Sequence, residues 1–305
     1  MMKSKLLENK LFMSLGALLC CALWGISTPI VKMGYAYLDA AHVPSLLLWA
    51  GIQFVLAGVL TVGACSIPAK KLVCPRKKNI KGVVVIALLQ TVLQYALMYI
   101  GLLYTSSVKG AILKSTDVFF IMLLASLVFK QEKLTARKVF ACVIAFAGII
   151  IMNLNGLQLD FSLLGDGLVV LGIVAYSLAV VLTRIVAKDE DPGALAGYQM
   201  TLGGAVMLIA GGVFGGAIHD FAGLLPIILC LSVLYAVSYC LWTVLLKNHP
   251  ASKVAIHSFM TPVFGVIFST IILTEQSNVA TVNLICALAL VSIGILIWGS
   301  GKKED

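Results

Sequence analysis

Residues 108–132 read VKGAILKSTDVFFIMLLASLVFKQE, and residues 251–275 read ASKVAIHSFMTPVFGVIFSTIILTE. Each is an apolar run of the ~20 residues a helix needs to cross a bilayer, and each ends on a glutamate. Set against each other without a gap, Lys114 falls on His257, Ser115 on Ser258 and Glu132 on Glu275. An earlier pair of runs matches in the same way, Trp24 and Lys32 falling on Tyr176 and Arg184. A chain that repeats itself after an odd number of crossings must thread the second copy upside down relative to the first.

The rest of the chain is built from the same material. Of 305 residues, 61% are hydrophobic and 11% charged, which excludes a water-soluble domain. About ten crossings would use ~200 residues and leave roughly 100 for tails and connections, too few for a soluble domain. The runs lie at 11–37, 43–67, 81–104, 107–129, 136–154, 163–187, 194–216, 221–246, 252–274 and 280–299. Pro68 and Pro75, Asn153 to Gly156, Asp191-Pro192-Gly193 and Asn248-His249-Pro250 break them. The expected fold is all-α: a polytopic membrane protein of ten transmembrane helices arranged as two inverted five-helix repeats, residues 11–154 and 163–299.

A net charge of +9 in a soluble protein would suggest nucleic acid; here it marks topology. With ten spans, the connections carrying Lys70 to Lys81, Lys130 to Lys138, Arg184 and Lys188, and Lys247 and Lys253 share a side with both tails. Nineteen of the 22 Lys and Arg then fall on that side, while the opposite connections hold Asp39, Asp160 and Asp220. The positive-inside rule makes that side cytoplasmic, with both termini, and places the protein in the cell membrane. The first run is too long for a signal-peptide core and is expected to stay as a span. Eight cysteines without a CxxC pair, seven of them in apolar runs, read as small packing residues.

The pattern ALWGISTPIVK (residues 22–32), a fourth run ending in a glutamate, and HSFMTPVFGVIFSTIILTE (residues 257–275) resemble the drug/metabolite transporter superfamily, EamA type. The resemblance covers nearly the whole chain as two EamA-like repeats. It implies a ten-helix inverted-repeat carrier that moves small metabolites, often outward, through a central cavity. One departure stands out: opposite Thr261-Pro262 the fourth run has Val118-Phe119, preceded by Asp117.

Ionisable groups inside a span cost at least ~2.5 kcal/mol at a helix centre and need a reason. Lys114 and Asp117 are three residues apart and can meet on one helix face. They form either a self-neutralising pair or a cavity-facing site in which Lys114 attracts an anionic group and Asp117 binds an amino group or exchanges a proton. His257, the repeat equivalent of Lys114, would approach the same cavity. Lys32, Arg184 and Lys109 are expected to reach the interfaces, and Glu132 and Glu275 to orient turns. Hydrogen-bonding candidates are Ser27, Thr28, Gln53, Gln90, Gln94, Ser115, Tyr176, Gln199, Tyr235, Ser238, Tyr239 and Ser258, many of which will only tie helices together. Trp24 can line the cavity wall, and Trp298 reads as an interfacial anchor. The substrate-binding set is thus Lys114, Asp117, His257, Trp24, Ser115, Tyr176, Gln94 and Tyr239.

Pro29, Pro226 and Pro262 permit kinks. Gly211, Gly212, Gly215 and Gly216 offer a surface for close helix approach or a homodimer. The sequence has no HExxH, GxSxG, paired DxxxD or Gly-rich nucleotide loop, so neither an enzyme nor a cofactor or metal is expected. Asp189-Glu190-Asp191 reads as a solvated turn. The function read here is a secondary transporter of a small polar metabolite (amino acid, carboxylate or related solute), possible exporters included, working by alternating access. A channel or a non-transporting integral membrane protein is the alternative.

Overall fold

The computed structural model describes residue 7 and residues 9–154, 160–273 and 280–300. Glu275, the Asn155-Gly156 half of one predicted turn, and Lys3, Lys5, Lys302 and Lys303 lie outside the described residues. Ten helical spans run through the described part: α1 (Lys10–Gly34), α2 (Val43–Ala69), α3, α4, α5 (Ala136–Met152), α6 (Asp166–Ala187), α7 (Pro192–Val213), α8 (Phe221–Asn248), α9 and α10 (Thr281–Gly299). The span α3 comprises Ile80–Ile86, a π-helical stretch Ala87–Leu93, and Gln94–Leu102. The span α4 comprises Ser107–Lys114, then Asp117–Leu123 and a π-helical turn Leu124–Val128. In α9 the pieces are Ala251–Ala255, a 3-10 turn Ile256–Phe259 and Met260–Ile272.

This is a polytopic all-α membrane protein, and its ten spans coincide with the ten apolar runs. Nine are long and apolar enough to cross a membrane by themselves; α5, with 17 residues, is at the short end of what a bilayer accepts. Local chemistry sets the ends. Asn9 caps α1 by accepting from Leu11 N at 2.8 Å. Asp191 caps α7 by accepting from Gly193 N at 2.8 Å, and Asp220 caps α8 by accepting from Gly223 N at 2.9 Å. Pro262 sits in the first turn of Met260–Ile272, where its missing donor breaks no helical bond.

Lipid tails are as apolar as the helices, so close packing holds such a bundle together. The tightest seam joins α2 to α7. A Cβ on Gly51 would come within 2.7 Å of Leu208 Cα, and one on Gly204 within 2.6 Å of Val55 N. Gly211 and Gly216 serve the same seam, against Leu48 and Pro44, whereas Gly212 and Gly215 meet nothing within 4 Å. Half of the glycine surface predicted for close approach is therefore spent inside the chain. Gly204→Leu is expected to cost about 3 kcal/mol or more, by overpacking against backbone that cannot yield. Gly212→Leu, on the same helix but facing open space, should stay within about 0.5 kcal/mol. Thermal melts of the two purified variants check the contrast.

The other principal pairings are α5 with α10, α3 with α6, α1 with α8 and α9, and α4 with α6. One core cluster gathers α4, α5, α9 and α10 around Phe259, Ile149 and Val291; another gathers α2, α7 and α8 around Phe54, Trp49 and Leu231. The spans α1 and α6 run between them. Trp298, predicted as an interfacial anchor, is instead buried in the first cluster with the Lys138 ammonium 5.8 Å from its ring centre. Cys20, Cys21 and Cys142 are buried as expected of packing thiols, but Cys74, Cys230 and Cys286 are exposed.

Candidate functional site

Both α4 and α9 break at matching depth. In α4 the helix stops at Lys114 and restarts at Asp117, leaving Ser115 and Thr116 between the two pieces. Polar hydroxyls make this possible: Ser115 Oγ donates to the Ala111 carbonyl at 3.0 Å and Thr116 Oγ1 to the Leu113 carbonyl at 2.6 Å. In α9 the 3-10 turn Ile256–Phe259 fills the equivalent place. Broken helices in a membrane are tolerated where they line a cavity.

They line one here. A cavity of about 440 Å³ lies between the breaks, walled by α1 (Trp24, Ser27), α3 (Gln94, Tyr95), α4 (Lys114, Asp117), α6 (Tyr176), α8 (Tyr235, Tyr239) and α9 (Ser258, Thr261). At its centre Lys114 Nζ donates to Asp117 Oδ2 at 2.7 Å and sits 4.0 Å from the Tyr176 ring centre. Ser258 Oγ donates to Asp117 Oδ1 at 3.3 Å. The two charges differ in access: the Lys114 side chain is 33% exposed and that of Asp117 4%. Trp24 meets Tyr239 edge-on at 5.7 Å and Trp242 at 4.9 Å, and the Tyr95 and Tyr239 hydroxyls lie 3.3 Å apart, one donating to the other.

Seven of the eight residues in the predicted site line this cavity: Lys114, Asp117, Trp24, Ser115, Tyr176, Gln94 and Tyr239. His257 lies outside the lining. It is 2% exposed, its Nδ1 is 3.2 Å from the Val254 carbonyl, and its own carbonyl accepts from Cys21 Sγ. His257 lies within the 3-10 turn and packs against α1, whereas its neighbour Ser258, like its equivalent Ser115, faces the cavity. Gln53, Gln90, Gln199 and Ser238 also lie outside the lining; Gln199 accepts from Thr91 at 3.0 Å and ties α7 to α3. Tyr95, Thr261, Asn153, Ser269 and Thr270 also line it and were not among the hydrogen-bonding candidates. Tyr95 adjoins Gln94, which was the available signal.

Among the described residues the lining of the cavity runs toward one end of the bundle. It continues to Asn153 at the end of α5 and to Ser269 and Thr270 near the end of α9. The other end, where the Lys and Arg collect, is sealed by bonds between spans. Arg184 donates from Nε to the His249 carbonyl and from NH1 to Gln131 Oε1, each at 2.9 Å, rather than reaching freely for an interface. Glu132 accepts from Lys138 Nζ at 3.2 Å, from Ser252 N at 3.2 Å and from Ser252 Oγ, fastening α4 to the start of α9. Glu190, read as part of a solvated turn, is 2% exposed and accepts from Asn79 Nδ2 at 2.6 Å and Arg76 N at 3.0 Å. Its neighbour Asp189 is exposed, and the Lys78 ammonium at 2.6 Å holds its carboxyl below the usual range. At the opposite end Lys109 is 12% exposed and paired with Asp166 at 2.9 Å, so it too is held rather than solvated.

Among the described residues no group of three or more His, Cys, Asp or Glu side chains is placed to hold a metal. The family model described as the EamA-like transporter family matches residues 11–154 and 163–298. The chain is 28% identical over 289 residues to the uncharacterized transporter YvbV of Bacillus subtilis (strain 168), covering 93% of this chain and 90% of that one. It is 27% identical over 215 residues to the WAT1-related protein At3g02690, chloroplastic, of Arabidopsis thaliana, covering 66% and 51%. A solved crystal structure shares the fold at a TM-score of 0.76 and 12% identity, over 95% of this chain and 96% of the other.

Proposed function

This chain belongs to the EamA-like transporter family, a multi-pass family of transporters rather than of enzymes, and from that premise we propose a secondary carrier for a small polar metabolite. It works by alternating access, and the conformation described is open away from the basic end. The single observation that carries the proposal is the cavity at the breaks of α4 and α9, holding a charged pair inside the bundle, with bonds between spans across the basic end.

The helix pairings support an inverted repeat. Exchanging α1–α5 with α6–α10 turns α1–α8 into α6–α3 and α1–α9 into α6–α4, and returns α2–α7 and α5–α10 to themselves, all pairings that occur. Charge supports the orientation: the sealed end carries Lys70 to Lys81 and Lys130 to Lys138, so the sealed side is cytoplasmic, in the cell membrane, with both termini there. Lys114 carries the accessible charge and the walls are aromatic, which suits an amino acid or related carboxylate with a short apolar body.

Counterflow tests the carrier. Vesicles reconstituted with the protein and preloaded with unlabelled solute should accumulate labelled solute transiently against no net gradient. The solute comes from a thermal-shift screen of amino acids, organic acids and nucleoside metabolites, since a ligand of the folded form raises its apparent stability. Linear, non-saturating flux without exchange would instead mean a channel.

A further inference from the structure

Asp117 and the face of Tyr176 together make a seat for an ammonium ion, and the seat is taken by the protein's own Lys114. The ammonium lies 2.7 Å from the carboxylate and 4.0 Å from the ring centre, an arrangement typical of cation recognition by a carboxylate and an aromatic face. The carboxylate is fixed from the other half of the chain by Ser258 and is almost wholly buried, whereas Lys114 hangs on a flexible stem that is one-third exposed to the cavity. Of the two partners, Lys114 is the one able to leave.

We propose that the substrate's own ammonium replaces Lys114 on Asp117 and Tyr176, and that the displaced Lys114 takes up the substrate's carboxylate; this deepens the carrier reading and rests on it. Charge counting selects the solute. The empty site holds one ammonium and one carboxylate. A zwitterion adds one of each, so two ion pairs replace one and no buried charge is left alone. A monocation would strand an ammonium and a monoanion would strand a carboxylate, each in a cavity where an unpaired charge is strongly disfavoured. Lys114 is thus a stand-in for the substrate, keeping Asp117 neutralised while the carrier is empty.

Purified Lys114→Ala, full chain, titrated with ethylammonium chloride tests the exchange. Removing the tethered ammonium opens the seat, so ethylammonium should raise the melting temperature of Lys114→Ala saturably. Wild type should need at least about tenfold more of it, and the double variant Lys114→Ala/Asp117→Asn should not respond at all. Equal responses in the three proteins, or none in Lys114→Ala, overturn the proposal. Should Lys114→Ala not be recovered, Lys114→Met expressed with and without ethylammonium decides: recovery only in its presence supports the seat, and failure in both counts against it. A wild-type carrier that counterflows a monoanion would overturn the exchange and leave the transporter standing. Absence of counterflow with any solute would remove the transporter, whatever ethylammonium does.

Discussion

Lys114→Ala is expected to abolish counterflow, by at least about 100-fold, while the protein still reaches the membrane in normal amount. The carboxylate it leaves behind is 3% exposed, with Ser258 Oγ as its remaining side-chain donor. Removing one partner of a buried ion pair typically costs about 3–5 kcal/mol if the other stays charged. The fold does not depend on the pair, because the α2–α7 and α5–α10 seams lie elsewhere. The transport step does depend on it: without Lys114 no cationic side chain among the described lining residues meets the solute's anionic group, since His257 is buried outside the lining. Lys114→Arg keeps the charge but spreads it over a plane that fits the Tyr176 face and the carboxylate differently, so an intermediate rate is expected. Counterflow within threefold of wild type in Lys114→Ala would take Lys114 out of the site.

Most of the fold could be read before any coordinates, and for a physical reason. A bilayer demands ~20 apolar residues per helix and sorts Lys and Arg to one side. These are long-range, averaged signals that survive errors of a few residues at each end. The same averaging made Lys114 and Asp117 conspicuous, two charges where a span tolerates almost none. What escaped was local pitch. Nothing in IHSF (residues 256–259) announces a 3-10 turn, within which His257 is buried while Ser258 lines the cavity. Partners distant in sequence were equally hidden: Arg184 sits near a span end like any interfacial cation, but Gln131 and the His249 carbonyl are in place to hold it. Trp298 repeats the lesson, an aromatic at a helix end that packs inward because Lys138 and the α5 seam lie beneath it.

Glu132→Ala should shift the carrier toward the form open at the basic end. The carboxylate joins three pieces at once: Lys138 on α5, the backbone of Ser252 at the start of α9, and its own position after α4. Lys138 is also held by the Lys133 carbonyl at 2.6 Å, so the loop keeps its shape when Glu132 is shortened, and the loss falls on the link to α9. On the alternating-access reading proposed above, that link exists only while the basic end is closed. Once the spans part, water solvates Glu132 and Ser252, and the substitution costs nothing there. A difference of about 3 kcal/mol between the two forms, the lower figure for losing one member of a buried pair, moves their ratio roughly 100-fold. Ser258→Cys, on the cavity wall, reports the shift. In the Glu132 background it should react with a membrane-impermeant thiol reagent chiefly from the open end of the bundle, and in Glu132→Ala chiefly from the basic end. Glu132→Gln, which can still accept from Ser252 N but carries no charge for Lys138, should fall between. Unchanged sidedness of Ser258→Cys labelling in Glu132→Ala would mean that the seal is held by Arg184 and Gln131 instead, and Arg184→Ala would then be the variant to open it.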